Sequence, residues 1–250
     1  MKRLEPKILH YESLPSTNTE AARLALQGAD EGLSVIADEQ TAGRGRLQRN
    51  WVSPKGAGLY LSIVLRPEIP LIYWPLLTFM AAVAVHDALG KSCGLQTDIK
   101  WPNDILSSER KLCGILAEAI ETDEGRAAVT GIGINLTAAA FPDELAAAAI
   151  SLEEATKRKA DRDLVLTVLL EALVNRYALL HEPEGPARIL AAWKERSSYG
   201  DGKRVRIVNG EEVVQGVTRG VEDDGALRVE TETEGIRIIR AGDVASLRSS

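Results

Sequence analysis

Three arginines and a tryptophan are gathered in one glycine-bearing stretch, Asp38-Glu-Gln-Thr-Ala-Gly-Arg-Gly-Arg-Leu-Gln-Arg-Asn-Trp51. Gly43 and Gly45 alternate with Arg44 and Arg46, and Arg49 and Trp51 follow. Glycine frees the backbone and guanidinium forks match phosphate and carboxylate oxygens, so this segment can close over an anion. An exposed arginine-rich turn is the bland alternative. The arginines repel one another and no apolar stripe holds the segment down, which predicts a loop that is mobile until an anionic ligand supplies counter-charge.

Further chain segments bear on the choice. Lys100-Trp-Pro-Asn-Asp104 and Lys111-Leu-Cys-Gly-Ile-Leu116 bring a carboxylate and lysines close in sequence. Pro102 removes a ladder donor and bends the segment that presents Asn103 and Asp104. Unassisted, Asp104 and Lys111 would be a solvated pair of little consequence. Gly131 and Gly133 interrupt an otherwise apolar strand, which signals close approach of a ligand or another backbone. The Gly-x-Gly-x-Asn run lacks the third glycine, helix and acidic residue of a dinucleotide fingerprint. Ser16-Thr17-Asn18 cap a helix, and their hydroxyl and amide groups could also hydrogen-bond a urea or amide ligand.

The elements that position these groups follow from periodicity. Ile8–Leu14 and Leu33–Ala37 read as strands, and the helix between them ends at Gly28. Gly58–Leu65 is a strand, and the stripe Leu76, Leu77, Met80, Ala81, Ala84, Val85, Leu89 predicts an amphipathic helix ended by Gly90. Ile99–Leu106 and Lys111–Ile120 read as a hairpin, followed by a strand over Ala127–Leu136. From Ala138 to Ser198 the character is helical, with Ser151-Leu-Glu-Glu154 a capping box. After Tyr199-Gly-Asp-Gly202, short strands at turn spacing imply a small β-barrel of about fifty residues.

Composition sets the bounds. The 250 residues are 45% hydrophobic, enough for one large domain and a small one. Lys plus Arg total 30 against 36 Asp plus Glu, a net charge of −6, which argues against a general nucleic-acid binder. Cys93 and Cys113 sit in no metal-binding or redox spacing, and a reducing cytoplasm fits. No apolar run is long enough to span a membrane, and the N-terminus lacks an apolar signal core. His10, His86 and His181 are isolated, which disfavours histidine-triad catalysis.

Taken together, Ser16-Thr-Asn18, Gln40-Thr-Ala-Gly-Arg-Gly-Arg46 with Arg49 and Trp51, Lys100-Trp-Pro-Asn-Asp104, Lys111-Leu-Cys-Gly-Ile-Leu116 and Gly131-Ile-Gly-Ile-Asn135 resemble the biotin protein ligases in order and spacing. The resemblance covers essentially the whole chain. One departure is Gln48, where many relatives have glycine. Only fifteen residues precede Ser16, so the expected form lacks the N-terminal helix-turn-helix domain of some relatives.

The resemblance implies an α+β fold: a mixed β-sheet with packed helices in a class II synthetase-like catalytic domain, residues 1–199, followed by a small SH3-like β-barrel, residues 200–250. It implies that biotin and MgATP form biotinyl-5′-AMP and that the acyl group passes to one lysine of a biotin carboxyl carrier protein. Ser16, Thr17, Asn18, Gln40, Gly43, Arg44, Gly45, Arg46, Lys111 and Gly114 would bind biotin. Arg46, Arg49, Trp51, Lys111 and Asn135 would bind ATP or the adenylate. Lys111, Arg46 and Asp104 would be catalytic, with Asp104 holding Mg²⁺ or receiving the incoming lysine. No nucleic acid or membrane partner is expected, and a homodimer is an open alternative to a monomer. The competing readings are a lipoate or octanoate ligase or transferase of the same fold, and a non-catalytic biotin-sensing module.

Overall fold

The computed structural model describes residues 4–246. Seven strands form one sheet in the order β1-β2-β3-β7-β6-β5-β4: β1 Lys7–Leu14, β2 Leu33–Gln40, β3 Gly58–Leu65, β4 Asp98–Lys100, β5 Asp104–Ser107, β6 Arg110–Thr122 and β7 Gly125–Asn135. Only the β1–β2 pair is parallel, with helix α1 (Thr17–Leu26) as its crossover, and the remaining pairs are antiparallel, so the sheet is mixed. A second, antiparallel sheet follows in the order β11-β10-β9-β8-β12: β8 Asp201–Asn209, β9 Glu212–Val221, β10 Leu227–Thr231, β11 Gly235–Ile239 and β12 Asp243–Ser246. The fold is α+β.

The two faces of the large sheet have different cover. On one face α1 packs over Val35, Ala37, Val64 and Val129 through Ala21 and Ala25. On the other lies α2 (Leu76–Cys93), itself covered by α4 (Arg162–Leu180) and α5 (Gly185–Lys194). That double cover explains a departure from expectation: α2 is buried on nearly every side instead of along one stripe. Its length and mean hydropathy of 1.2 would suit a membrane span, but its residues fill the core. Gly90 does not end it. The helix continues to Cys93 and stops where Gly94 takes φ 71°, a left-handed angle that favours glycine.

Two further expectations are corrected. Pro102 does not interrupt a single strand; with Trp101 it forms, through a cis peptide bond, the corner of a separate β4–β5 hairpin. Residues 138–150 are not helical: two short 3₁₀ turns carry the chain to Ala149, which bridges Lys111 of β6. Helix α3 (Leu152–Thr156) starts at Ser151, whose hydroxyl accepts from Glu154 N–H.

Candidate active site

One row of cross-strand neighbours organises the site. Lys100 faces Asp104, Asp104 faces Gly114, Gly114 faces Gly133 and Gly133 faces Tyr60, all on the α1 side of the sheet. The two glycines leave a trough in mid-sheet, and its roof requires them. A Cβ at Gly133 would come within 2.5 Å of Trp51 Nε1, and one at Gly114 within 3.1 Å of the same indole. One register further, a Cβ at Gly131 would press on Asn18, with Cγ at 2.9 Å. The glycines that broke the strand pattern therefore mark close approach by two site residues.

Lys111 reaches this face by a β-bulge. Strict alternation would send Gly114 and Lys111 to opposite faces, but Ile105 pairs with Cys113 while Leu106 pairs with Lys111, leaving Leu112 as the extra residue. Leu112 enters the core and the ammonium turns toward the trough. There Lys111 Nζ lies 2.7 Å from Asp104 Oδ1 and 5.2 Å from the Trp51 ring centre. The Asp104 contact is an ion pair that is not aligned as a hydrogen bond. Burial pushes the Cys113 thiol far above its ordinary range, so the adjacent sulfur is no nucleophile.

The cavity under Trp51 measures about 400 Å³. At one end α1 presents Ser16, Thr17 and Asn18, all buried. Gln40 Oε1 accepts from Thr17 N–H (2.8 Å) and Thr17 Oγ1 (3.1 Å), while its Nε2 donates to Ser53 Oγ. Ser62 Oγ lies 2.7 Å from Thr17 Oγ1 and 2.6 Å from Asn18 Oδ1. Three contacts here call for hydroxyl protons and the two hydroxyls carry only two, so the cluster is short of a donor. A ligand bringing N–H groups would complete it.

At the other end lie the cations. Half-buried Arg46 donates from Nη1 to Asn103 Oδ1 at 3.2 Å, and burial lowers its pKa from the usual arginine value despite Asp243 and Asp104 nearby. Arg49 pairs with Asp243 of β12, so the second sheet contributes to the wall. Arg44 donates to Glu118 Oε2 at 3.0 Å. The expected unpartnered loop is thus corrected: the chain supplies Glu118 and Asp243 as counter-charges. Internal bonds from Gly45 N to Arg49 O and from Trp51 N to Gly43 O fasten the loop further. Leu47 and Gln48 both sit at positive φ, 54° and 59°, so Gln48 occupies a conformation that favours glycine.

Of the residues singled out from sequence, Ser16, Thr17, Asn18, Gln40, Arg44, Gly45, Arg46, Arg49, Trp51, Asp104, Lys111, Gly114 and Asn135 line this cavity. Gly43 does not; it lies beneath the Trp51 carbonyl, where a side chain would collide. Asn135 Nδ2 bonds the Lys111 and Ile150 carbonyls at 3.3 Å, tying the bulge to the segment after the 3₁₀ turns. Sequence reasoning missed Asn103, Asp243 and the apolar wall from Phe141, Leu145 and Ala148. Only the Lys100–Asp104 motif hinted at Asn103. The three histidines are bonded elsewhere, to Asp38, Thr97 and the Tyr177 carbonyl.

Fold and site define a sheet-floored binding protein that sets a neutral polar pocket at one end of a cavity against a cation cluster at the other. Residues 11–135 match the Biotin/lipoate A/B protein ligase family, and residues 202–246 match the Biotin protein ligase C terminal domain. The bifunctional ligase/repressor BirA of Bacillus subtilis is 42% identical over 95% of this chain and 73% of its own length. The biotin–[acetyl-CoA-carboxylase] ligase of Mycobacterium tuberculosis is 34% identical over 93% and 86% respectively. A biotin protein ligase from Aquifex aeolicus, solved with biotin and ATP, superposes with a TM-score of 0.82 at 29% identity, covering 97% of this chain and 99% of that one. This chain belongs to the Biotin/lipoate A/B protein ligase family, among its biotin protein ligases.

Proposed function

We propose that this protein condenses biotin with ATP to biotinyl-5′-AMP and pyrophosphate, then transfers the biotinyl group to a lysine of a biotin carboxyl carrier protein, with AMP as the leaving group. The observation that carries the site assignment is the placement of Lys111 and Asp104 beside the arginine loop, across a glycine floor from the donor-short Thr17–Ser62–Asn18 cluster.

A ureido ring has two N–H donors and one carbonyl acceptor, which suits that cluster. The fused ring and acyl chain lie along the glycine trough beneath Trp51, and the carboxylate reaches Lys111. Attack of that carboxylate on the α-phosphate brings two anions together, and Lys111, Arg46 and Arg49 offset the repulsion as charge builds. Asn135, its Nδ2 already committed, offers Oδ1 to the adenine amino group.

Magnesium enters as part of the MgATP substrate. Among the described residues no group of three His, Cys, Asp or Glu side chains could cage a metal, and Asp104 and Asp243 are each paired with a cation. A ligand role for Asp104 would require it to give up Lys111. Its role toward the acceptor fits better: a free lysine has a pKa near 10.4, so only about one in two to three thousand is neutral at pH 7. Asp104 Oδ1, lacking a hydrogen bond, takes the proton as the amine attacks the mixed anhydride.

We assign residues 1–199 to the catalytic domain and 200–250 to a C-terminal domain that completes the wall through Asp243. Both cysteines are free thiols, and we place the enzyme in the cytoplasm. The test is pyrophosphate release from biotin and ATP, with streptavidin detection of biotin on a carrier domain. Equal use of lipoate or octanoate would point to the alternative ligase, and binding without turnover to a sensor.

A further inference from the structure

Glu118 does not line the cavity, yet it touches a residue at each end. Its Oε2 accepts from Asn18 Nδ2 at 2.8 Å and from Arg44 Nη2 at 3.0 Å. These donors lie 100 and 74 residues away in sequence, one on the α1 cap and the other in the arginine loop. Alternation along β6 puts Gly114, Leu116 and Glu118 on the trough face, so the carboxylate rises between the two segments.

Each bond fixes something the other cannot. An asparagine amide can be placed either way round, and here Nδ2 is spent on Glu118 and on the Leu116 carbonyl at 3.2 Å. Turned over, Oδ1 would face a carboxylate and a carbonyl, so Glu118 commits Oδ1 to Ser62 and to whatever donor arrives. Arg44 is exposed on its outer side, and Glu118 is the acid that tethers its fork. We infer that Glu118 is a positioning residue that couples the ureido end of the site to the arginine loop. Binding at Asn18 stiffens the loop through this carboxylate, and by linkage a seated loop favours binding at Asn18. The inference rests on the proposed reaction and adds a residue that governs how long biotinyl-AMP is held.

Glu118→Ala should raise the biotin KM and the biotinyl-AMP dissociation rate by about three- to tenfold each, as befits a half-exposed pair within a network. The ATP KM and the thermal midpoint should change little, which separates positioning from a merely structural loss. In an Arg44→Ala background Glu118→Ala should raise the dissociation rate by less than it does in the parent, the Asn18 contact alone remaining to be lost, and should still raise the biotin KM. Glu118→Gln, which keeps one acceptor oxygen, should fall between and serves if the alanine variant does not fold. Parental biotin KM and dissociation rate in both variants, or multiplying effects of Glu118→Ala and Arg44→Ala on dissociation, would overturn the coupling. A parent protein that makes no biotinyl-AMP would instead overturn the reaction, and calorimetric biotin affinity of parent and Glu118→Ala would still read the Asn18 contact.

Discussion

Asp104 and Lys111 meet at 2.7 Å only because Leu112 bulges out between Lys111 and Cys113, and their ion pair leaves Asp104 Oδ1 without an aligned hydrogen bond. In the proposed reaction the pair serves two demands in sequence: a fixed cation when carboxylate meets phosphate, and a proton acceptor when the amine arrives.

Lys111→Ala should fold and yet release pyrophosphate roughly 100- to 1000-fold more slowly, the usual cost of removing one preorganised charge. Asp104→Asn should spare adenylation more than transfer. Unchanged pyrophosphate release by a folded Lys111→Ala protein would remove the role of the cation.

Arg46→Lys keeps the charge but loses the planar fork that bonds Asn103 and, in the proposed reaction, also holds the intermediate. Biotinyl-AMP should leave this variant about tenfold faster, the equivalent of one charge-assisted hydrogen bond. Retention measured by single-turnover chase checks this, and equal retention in mutant and parent would detach Arg46 from the intermediate.

Gly131→Ala forces a methyl group against Asn18 in a buried strand. It should cost about 1–3 kcal/mol of stability through overpacking and weaken biotin more than ATP. Denaturant unfolding and calorimetric titration read the two effects separately.

Lys100 faces Asp104 from β4, and burial holds its pKa below the usual lysine value, opposed in part by Asp104. Between that lowered value and the unfolded value near 10.5 the unfolded chain binds more protons, so stability rises with pH across this window. Lys100→Met should be more stable at neutral pH, should lack the alkaline rise in stability and should be less active. Parallel stability–pH curves for parent and variant from pH 7 to about 10.5 would show that the buried charge carries no penalty.

Much of this was legible because it is local. The cap at Ser16, the bounds of the Gly58–Leu65 strand, and the paired glycines of β7 each report a constraint acting within a few residues. The counter-charges of the arginine loop were not legible: Arg44 finds Glu118 across 74 residues and Arg49 finds Asp243 across 194, in another sheet. Helix α2 was mistaken for a half-exposed helix for the same reason, since the helices that cover it lie far along the chain.

The bulge at Leu112 makes the chemistry of β6 a matter of parity. Residues on a strand are odd or even with respect to its faces, and one uncounted residue changes the class of everything beyond it. Pairing Leu112 as an ordinary ladder residue, with no bulge, would leave every residue of the cavity in the chain while returning Lys111 to the face of the core. The reading frame of this strand, as much as its composition, thus determines which way its charge points. Changes that flatten the bulge at constant length should be purged from working sequences, whereas length changes at the Thr122–Gly125 turn, which displaces no site residue, should accumulate.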